Sequence, residues 1–167
     1  MKISKLIHPD LIKVELETAV PEEVEEILKP EIRVERIKEL LVKEFVEILS
    51  LSGKIQSSNK LYLDLLNRER KASTAIGHGV AIPHVRTMHA REFVMGLAKS
   101  TEGYEFGSPD GQRVHLFFLM VSPNYDDNLY LKVYKGLADL LKYEELREKL
   151  LHASSVREVI GALQKWE

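Results

Sequence analysis

The chain has 167 residues, which suits one globular domain with a sizeable core. Its formal net charge of -2 lacks the basic excess of a nucleic-acid surface, so we expect no nucleic-acid partner. The absence of cysteine excludes disulfides and thiol catalysis. No apolar run reaches the length of a membrane span, and the opening MKISKLIHPD lacks the apolar centre of a secretory signal. We therefore expect a cytoplasmic protein without direct membrane insertion.

The first third of the chain predicts a strand and two helices. Residues 11–17 (LIKVELE) alternate apolar and charged side chains near their end, which is typical of a strand with one solvated face. Pro21, followed by two glutamates, predicts a short helix that ends before Pro30. Over residues 34–50, apolar side chains recur every three or four positions, which predicts a longer helix with one buried side.

The middle of the chain predicts a third helix and then buried strands. The helix is expected to begin at Ser57 or Ser58, because serine is a favoured N-cap residue. Residues 93–98 and 114–121 are apolar and rich in strand formers. The second run (VHLFFLMV) is apolar at nearly every position, which predicts a central strand covered on both faces. The dipeptide Asp110-Gly111 predicts a turn between them.

The last third of the chain is expected to be helical. It predicts helices over about residues 127–142 and 143–152, and a terminal helix opened by a capping box of Ser155 and Glu158. Strands mixed with helices, with helices at both ends, indicate an α/β fold. The sequence has no internal repeat and no dividing linker, so we treat residues 1–167 as a single domain.

His84 is the first candidate for chemistry. It directly follows Pro83 and the apolar run at residues 80–82. Because proline fixes one backbone dihedral, a histidine placed there as a strand ends is held in a defined direction. Neutral imidazole is a good nucleophile near neutral pH and can accept a phosphoryl group without a metal. The alternative is a histidine with no role beyond filling a strand-to-loop corner.

Arg68 is the second candidate. It lies in a charged run near the end of the third predicted helix, and such a run is usually a solvated face. An arginine can nevertheless form paired hydrogen bonds to phosphate oxygens while keeping its charge. We therefore expect Arg68 to assist a phosphorylated His84, and to pair with Glu69 or another carboxylate when no phosphate is present.

The remaining signals in this region are weaker. Gly77 and Gly79 permit either a close approach or a simple bend, and they match neither a dinucleotide fingerprint nor a P-loop. A metal-dependent enzyme that uses His78, His84 and His89 is an alternative, but their spacing matches no helix-borne zinc motif. We expect no cofactor and no metal.

Together these residues resemble the signature of type-2 IIA domains of the bacterial phosphotransferase system. The spacing between Arg68 and His84 matches that family, and residues 106–114 resemble its fructose and nitrogen-regulatory branch. The resemblance covers roughly residues 2–163 and rests on these positions: Arg68-Glu69, Ser73-Thr74, Ile76-Gly77, Gly79 and Ala81-Ile82-Pro83-His84. It implies a mixed parallel and antiparallel sheet flanked by helices on both faces.

The resemblance also implies a phosphotransferase activity. The histidine that matches His84 would accept a phosphoryl group from a phosphohistidine carrier related to HPr and pass it to a IIB partner in sugar uptake. The arginine that matches Arg68 would stabilise the phosphoryl group. The alternative within the family is a nitrogen-regulatory type of protein, which controls protein targets through its phosphorylation state. This alternative includes a protein with full phosphotransfer and one in which phosphotransfer is weakened or lost.

The sequence departs from the family pattern at three places. Tyr130 stands where many members have a second histidine, and tyrosine can donate a hydrogen bond but cannot carry a positive charge. Val85 follows the phosphorylated histidine, where a small residue is usual. Residues of about 19–34 resemble a helical insertion. The first and third departures favour the regulatory alternative, and the first two bear on the rate or direction of transfer.

Overall fold

A computed structural model describes residues 2–126 and 128–167. These residues form one six-stranded sheet surrounded by helices. The helices are α1 (Ile3–Leu6), α2 (Glu22–Glu25), α3 (Pro30–Ser50), α4 (Ser58–Lys71), α5 (Asn128–Leu140), α6 (Glu144–His152) and α7 (Val156–Trp166). The strands are β1 (Ile7–Lys13), β2 (Ala75–Gly77), β3 (Val80–Ala81), β4 (His84–Thr87), β5 (Val94–Tyr104) and β6 (Val114–Pro123).

The sheet mixes parallel and antiparallel pairs. Its order is β1-β5-β6-β3-β2, and β4 also pairs with β6. Strands β5 and β6 are antiparallel, as are β2 and β3, whereas β1 runs parallel to β5 and both β3 and β4 run parallel to β6. The predicted fold class is confirmed.

Strand β6 is the centre of the core, because its side chains alternate between two hydrophobic clusters. Phe117, Leu119 and Val121 pack with residues of α3 and α4 on one face of the sheet. Phe118 and Met120 pack with residues of α1, α5, α6 and α7 on the other. Burying one such side chain contributes about 1.5–3 kcal/mol to the free energy of unfolding. Because β6 is covered on both faces of the sheet, it is apolar at nearly every position. The prediction of a central strand at residues 114–121 is confirmed.

The helix starts follow from their capping chemistry. Ser57 is the N-cap of α4, since its hydroxyl accepts from the backbone N–H of Lys60 at 3.3 Å. Helix α3 begins at Pro30 rather than near residue 34, because proline is favoured in the first turn, where its missing N–H has no partner to lose. The predicted short helix ends at Glu25, before Pro30, as expected.

The first strand is offset from its prediction. Strand β1 covers Ile7–Lys13, not residues 11–17. The Glu44 carboxylate accepts from the backbone N–H groups of Glu17 and Thr18 at 2.9–3.1 Å. Those donors are therefore bound to α3 instead of a sheet neighbour, and the strand does not continue through them. Strand β5 runs beyond the predicted residues 93–98, to Tyr104.

The C-terminal helices lie close to their predicted positions. The described part of α5 begins at Asn128, and Asp127, where we placed the possible helix start, lies outside the described residues. Helix α7 is capped by the Ser155 hydroxyl, which accepts from the N–H of Glu158 at 3.2 Å. The Glu158 carboxylate in turn accepts from the N–H of Ser154 at 2.6 Å, so the capping box closes one residue earlier than its usual form.

Residues 19–34 contain α2 and the first turn of α3. Val20 and Val24 pack against the core cluster on the α3 and α4 face. Arg33 donates to the Glu105 carboxylate at 2.9–3.1 Å, which ties the segment to the end of β5. That this segment is an insertion remains a prediction. None of the described helices is both long enough and apolar enough to span a membrane.

Candidate functional site

The backbone around His84 differs from the prediction. We expected His84 where a strand ends, but it is the first residue of β4. Strands β3 and β4 pair in succession with the same edge of β6, and Ile82 and Pro83 lie between them. Pro83 has no N–H and interrupts the ladder, yet its carbonyl accepts from the N–H of Met120 at 3.0 Å. The chain therefore stays in line, and pairing resumes at His84.

A tight bend precedes this strand pair. Gly77, His78 and Gly79 all have positive φ, at 92°, 57° and 76°, a conformation that glycine adopts without strain. The N–H of His78 donates to the Asp110 carboxylate at 2.9 Å. Hydrogen bonds from Ser108, from the N–H of Gln112 and from His78 lower the pKa of Asp110 to about 2. The two glycines thus form a bend that Asp110 holds in place.

The His84 imidazole is buried, with 7% of the residue exposed. Its Nδ1 lies 2.5 Å from the carbonyl oxygen of Ile82. Because a carbonyl oxygen can only accept, Nδ1 carries the hydrogen in this bond. In the neutral ring the lone pair then belongs to Nε2, so this is the ring nitrogen that is able to act as a nucleophile.

Burial also keeps this ring neutral. Desolvation lowers the pKa of His84 below its ordinary value of 6.5, because the charged form loses hydration, and the Arg68 guanidinium acts in the same direction. The hydrogen bond to Ile82 and the Glu69 carboxylate oppose the shift without reversing it. The imidazole is therefore unprotonated at Nε2 at neutral pH.

Two tyrosines of α5 pack against the imidazole. The ring centroids of Tyr130 and Tyr134 lie 5.3 Å and 5.4 Å from that of His84, within the range of favourable aromatic contacts. The Arg86 guanidinium lies over the Tyr130 ring, 5.2 Å from its centroid. Tyr130 is in the first turn of α5, as expected, and its ring rests on the candidate histidine. Burial raises the pKa of its phenol, which stays protonated.

Arg68 lies in the last turn of α4, at the same cavity as His84. Its Nη1 donates to the carbonyl oxygen of Ala72 at 2.9 Å. The expectation that it pairs with Glu69 is wrong, because the Glu69 carboxylate faces the interior and binds Lys38 at 2.9 Å. Arg68 is held by a neutral carbonyl rather than a carboxylate, so its charge is not neutralised by that contact.

The cavity has a volume of about 560 Å³ and a cationic wall. Arg68, Lys71 and Arg86 line it, and Asp64 is the carboxylate among the described lining residues. Asp64 accepts from the Thr87 hydroxyl at 2.7 Å, which ties α4 to β4. The other lining residues are Asn67, His84, Val85, Thr87, Met88, His89, Asn124 and Tyr130. A cleft lined mainly by positive charges favours an anionic ligand.

A cleft of about 670 Å³ lies at the far end of β5, where Arg33 and Glu105 satisfy each other, and no histidine lines it. Over residues 2–126 and 128–167, no three histidine or carboxylate side chains form a group that could hold a metal ion. The metal alternative built on His78, His84 and His89 therefore has no ligand cluster in that range.

Sequence reasoning missed several neighbours of His84. Arg86 is two residues further along β4, and side chains two apart share a face of a strand, so simple alternation would have placed it there. Tyr134 is four residues after Tyr130, on the same side of α5.

Val85, where the family usually has a small residue, packs against the core cluster of α3 and α4. This contact explains how a larger side chain is accommodated after the histidine.

Residues 24–166 match the family described as "Phosphoenolpyruvate-dependent sugar phosphotransferase system, EIIA 2". The chain belongs to this family. The resemblance inferred from the Arg68-to-His84 motif is thereby confirmed.

The relatives come from both the transport and the regulatory branches. A fructose-specific EIIABC component from Bacillus subtilis is 30% identical over 165 residues, which cover 99% of this chain but only 23% of that protein. A nitrogen regulatory protein from Bradyrhizobium diazoefficiens is 31% identical over 139 residues, covering 83% of this chain and 89% of that one. The crystal structure of nitrogen regulatory protein IIA-Ntr from Neisseria meningitidis superposes with a TM-score of 0.80 at 26% identity, covering 96% of this chain and 98% of that one.

Because the pKa of His84 is lowered in the folded protein, we expect the free energy of unfolding to decrease in acid. The unfolded chain takes up a proton near pH 6.5, whereas folded His84 takes it up only at lower pH. The contribution of His84 to the free energy of unfolding is therefore fully present above pH 6.5. It is lost as the pH falls through the pKa of His84 in the folded protein. We expect the His84 signal in an NMR titration to have a midpoint below 6.5, and His84→Asn to identify that signal by its absence. A midpoint at or above 6.5 would contradict the assignment of a desolvated neutral ring.

Proposed function

We propose that this IIA-family protein accepts a phosphoryl group on Nε2 of His84 and passes it to another protein. The observation that carries the proposal is the bond from Nδ1 to Ile82, which leaves Nε2 unprotonated in a ring that lines a cationic cavity. Phosphoryl transfer depends mainly on in-line positioning and on charge stabilisation. The fixed direction of the His84 ring and the cations that line the cavity support the proposal on both points.

The proposed step needs no metal and no third reactant. The Nε2 lone pair of His84 forms a bond to phosphorus while the phosphorus–nitrogen bond of the donor phosphohistidine breaks. The donor ring carries hydrogen on its other nitrogen, so it keeps the electron pair of that bond and departs as neutral imidazole, while His84 retains its own hydrogen on Nδ1. In the second transfer a nucleophile of the acceptor protein bonds to phosphorus while the phosphorus–nitrogen bond at Nε2 of His84 breaks. The electron pair of that bond returns to Nε2, so His84 is again a neutral imidazole.

Arg68 is proposed to stabilise the transferred group. Its guanidinium has one donor engaged with Ala72, and a guanidinium has five N–H donors in a planar fork. A phosphoryl oxygen bound at Nε2 offers a charged acceptor in place of a neutral carbonyl, and charge-assisted hydrogen bonds are roughly twice as strong as neutral ones. We infer that Arg68 turns toward the phosphoryl group once it is bound.

Tyr130 is proposed to shape the site. Its ring lies 5.3 Å from the His84 ring, and its phenol stays protonated, so it can donate one hydrogen bond to a phosphoryl oxygen. It cannot supply a positive charge. We therefore propose that Arg68 offsets the negative charge of the phosphoryl group, and that Tyr130 positions the group through a hydrogen bond.

The proposed donor is a phosphohistidine carrier related to HPr, and the proposed acceptor is a IIB domain in sugar uptake, with the exchange taking place in the cytoplasm. The Bacillus subtilis relative supports a IIB partner, because its name combines components A, B and C. The second candidate is control of a protein target through the phosphorylation state of His84. Similarity to two nitrogen regulatory proteins favours it, since those relatives match this chain along most of their own length.

Phosphorylation of His84 is the direct test. Incubation with phosphoenolpyruvate, the first phosphotransferase enzyme and an HPr-related carrier should label the wild-type protein. His84→Ala should abolish labelling, because no other histidine combines burial with a free Nε2 at the cationic cavity. His78→Ala is the matched control, since His78 lies in the bend outside that cavity, and it should keep its label. Full labelling of His84→Ala would refute the proposal.

Arg68→Met should weaken phosphoryl stabilisation by about 1.5–3 kcal/mol, the value of one charge-assisted hydrogen bond. That loss corresponds to a fall of roughly tenfold to a hundredfold in the equilibrium for accepting the group from the carrier. Arg70→Met is the control, because Arg70 is on the same turn of α4 but pairs with Glu35 and Glu39. Equal equilibria for the wild type and Arg68→Met would exclude the proposed role.

Tyr130→Phe isolates the phenol hydroxyl. We expect slower transfer in both directions with little change in stability, because the ring contact with His84 is kept. Tyr134→Phe serves for comparison, since its ring makes a similar contact at 5.4 Å. Tyr130→His should speed transfer to a IIB partner if the protein is tuned for regulation. Wild-type rates in Tyr130→Phe would show that the hydroxyl has no part in the mechanism.

A further inference from the structure

Glu69 is the least exposed carboxylate near the candidate site, with 3% of the residue accessible. Its side chain accepts three hydrogen bonds. Lys38 Nζ donates at 2.9 Å, the backbone N–H of Thr74 at 2.8 Å and the Thr74 hydroxyl at 2.6 Å. The carboxylate therefore joins α3, the last turn of α4 and the residue before β2.

The hydrogen bonds continue from Thr74 to His84. The carbonyl oxygen of Thr74 accepts from the N–H of Ile82 at 3.0 Å. The carbonyl oxygen of Ile82 accepts from Nδ1 of His84 at 2.5 Å. One continuous path thus runs from the buried Glu69 carboxylate, through two backbone groups, to the nitrogen that fixes the tautomer of the imidazole.

The path ends at Ile82, whose carbonyl oxygen accepts the hydrogen bond from the imidazole. Ile82 lies between β3 and β4, next to a proline that cannot donate to the sheet. The N–H of Ile82 is held by Thr74, and the fixed φ of Pro83 restricts the backbone on its other side. If Thr74 moved, the Ile82 carbonyl would move with it, and the imidazole would lose the acceptor that keeps its hydrogen on Nδ1.

We propose that Glu69 is a positioning residue, which holds Thr74 and Ile82 so that His84 keeps its Nδ1–H tautomer and presents Nε2 to the phosphoryl donor. The proposal rests on the proposed function of His84. Glu69 also follows Arg68 directly, so the same carboxylate anchors the helix turn that carries the phosphoryl-stabilising guanidinium. Both halves of the site are then fixed relative to each other by one buried group.

A contribution to stability does not by itself explain why Lys38 and Glu69 form a buried ion pair. Removing two charges from water costs several kcal/mol per ion, and well-packed apolar replacements of buried pairs are often neutral or stabilising. Lys38 and Glu69 are both buried and in contact at 2.9 Å. A charged network at this position is better accounted for by the orientation that it imposes on Thr74 than by the energy that it adds.

Glu44 provides a control for substitutions of Glu69. Glu44 is also buried, and it accepts from Lys13, from the N–H of Thr18 and from the Thr18 hydroxyl. Its partners resemble those of Glu69, with a further hydrogen bond from the N–H of Glu17, but it holds the segment after β1 and not the residues beside Ile82. A substitution at Glu44 therefore reproduces the cost of losing a buried carboxylate without disturbing His84.

Nitrogen-15 NMR of the His84 ring, together with phosphorylation rates, tests the proposal. In Glu69→Gln and in Thr74→Val we expect a new population of the Nε2–H tautomer in the unphosphorylated protein. We also expect the maximal phosphorylation rate to fall about tenfold to a hundredfold, as for a misplaced reacting group, with an unchanged KM for the carrier. Thr74→Ser should restore both properties, because it keeps the hydroxyl. Glu44→Gln should leave both at their wild-type values.

The outcomes separate this inference from the proposed function. An unchanged tautomer and an unchanged rate in both Glu69→Gln and Thr74→Val would overturn the positioning role. If Glu69→Gln does not fold, the pair Thr74→Val and Thr74→Ser decides by the same two measurements. If the wild type accepts no phosphoryl group, the proposed function fails, whereas the tautomer measurement still decides whether Glu69 orients His84.

Discussion

The hydrogen bond from Nδ1 of His84 to the Ile82 carbonyl is the contact on which the candidate site depends. At 2.5 Å it fixes the direction of the ring and assigns the hydrogen to one nitrogen, so the other keeps its lone pair. Burial then keeps the ring neutral, because the desolvated imidazolium is disfavoured. A nucleophile in a buried ring needs both conditions, since a protonated or rotated imidazole has no lone pair to offer at the cavity. A hydrogen bond to the backbone carbonyl of Thr74 holds Ile82, and cations line the cavity beside the ring.

The fold provides these conditions through the break between two short strands. Strand β6 is covered on both faces and gives β3 and β4 a common edge, while Pro83 separates them without turning the chain away. The break leaves Ile82 outside both strands, so its carbonyl is available to the imidazole. Helix α4 brings Arg68 to the cavity, and α5 places the Tyr130 and Tyr134 rings against His84. The network of Lys38, Glu69 and Thr74 joins these parts behind the site. Side chains are thus divided between those that line the cavity beside His84 and those that hold the backbone behind it.

Much of this arrangement was predictable from the sequence because it is locally encoded. The apolar run of β6 predicts a strand covered twice, and the spacing of Arg68 and His84 within a recognisable motif identifies the family, as the match over residues 24–166 confirms. The pairing of Arg68 with Glu69 was wrong, because adjacent helical residues point in different directions and only the tertiary fold shows which one faces the core. The Lys38–Glu69 pair joins residues far apart in the chain and has no local signal. The end of β1 was misplaced for a similar reason, since the donors of Glu17 and Thr18 are bound by the distant Glu44. The roles of His84, Arg68 and Tyr130 remain predictions that these contacts support.

Identifying the nitrogen atom that carries the phosphoryl group tests most directly whether the bond to Ile82 determines the nucleophile. Nitrogen-15 and phosphorus-31 NMR of the phosphorylated protein can assign the phosphorus–nitrogen bond to one ring nitrogen of one histidine. We predict a single species with phosphorus on Nε2 of His84 and with hydrogen retained on Nδ1. Phosphorus on Nδ1 of His84, or on any other histidine, would contradict it, because the bond to Ile82 would then not determine the nucleophile.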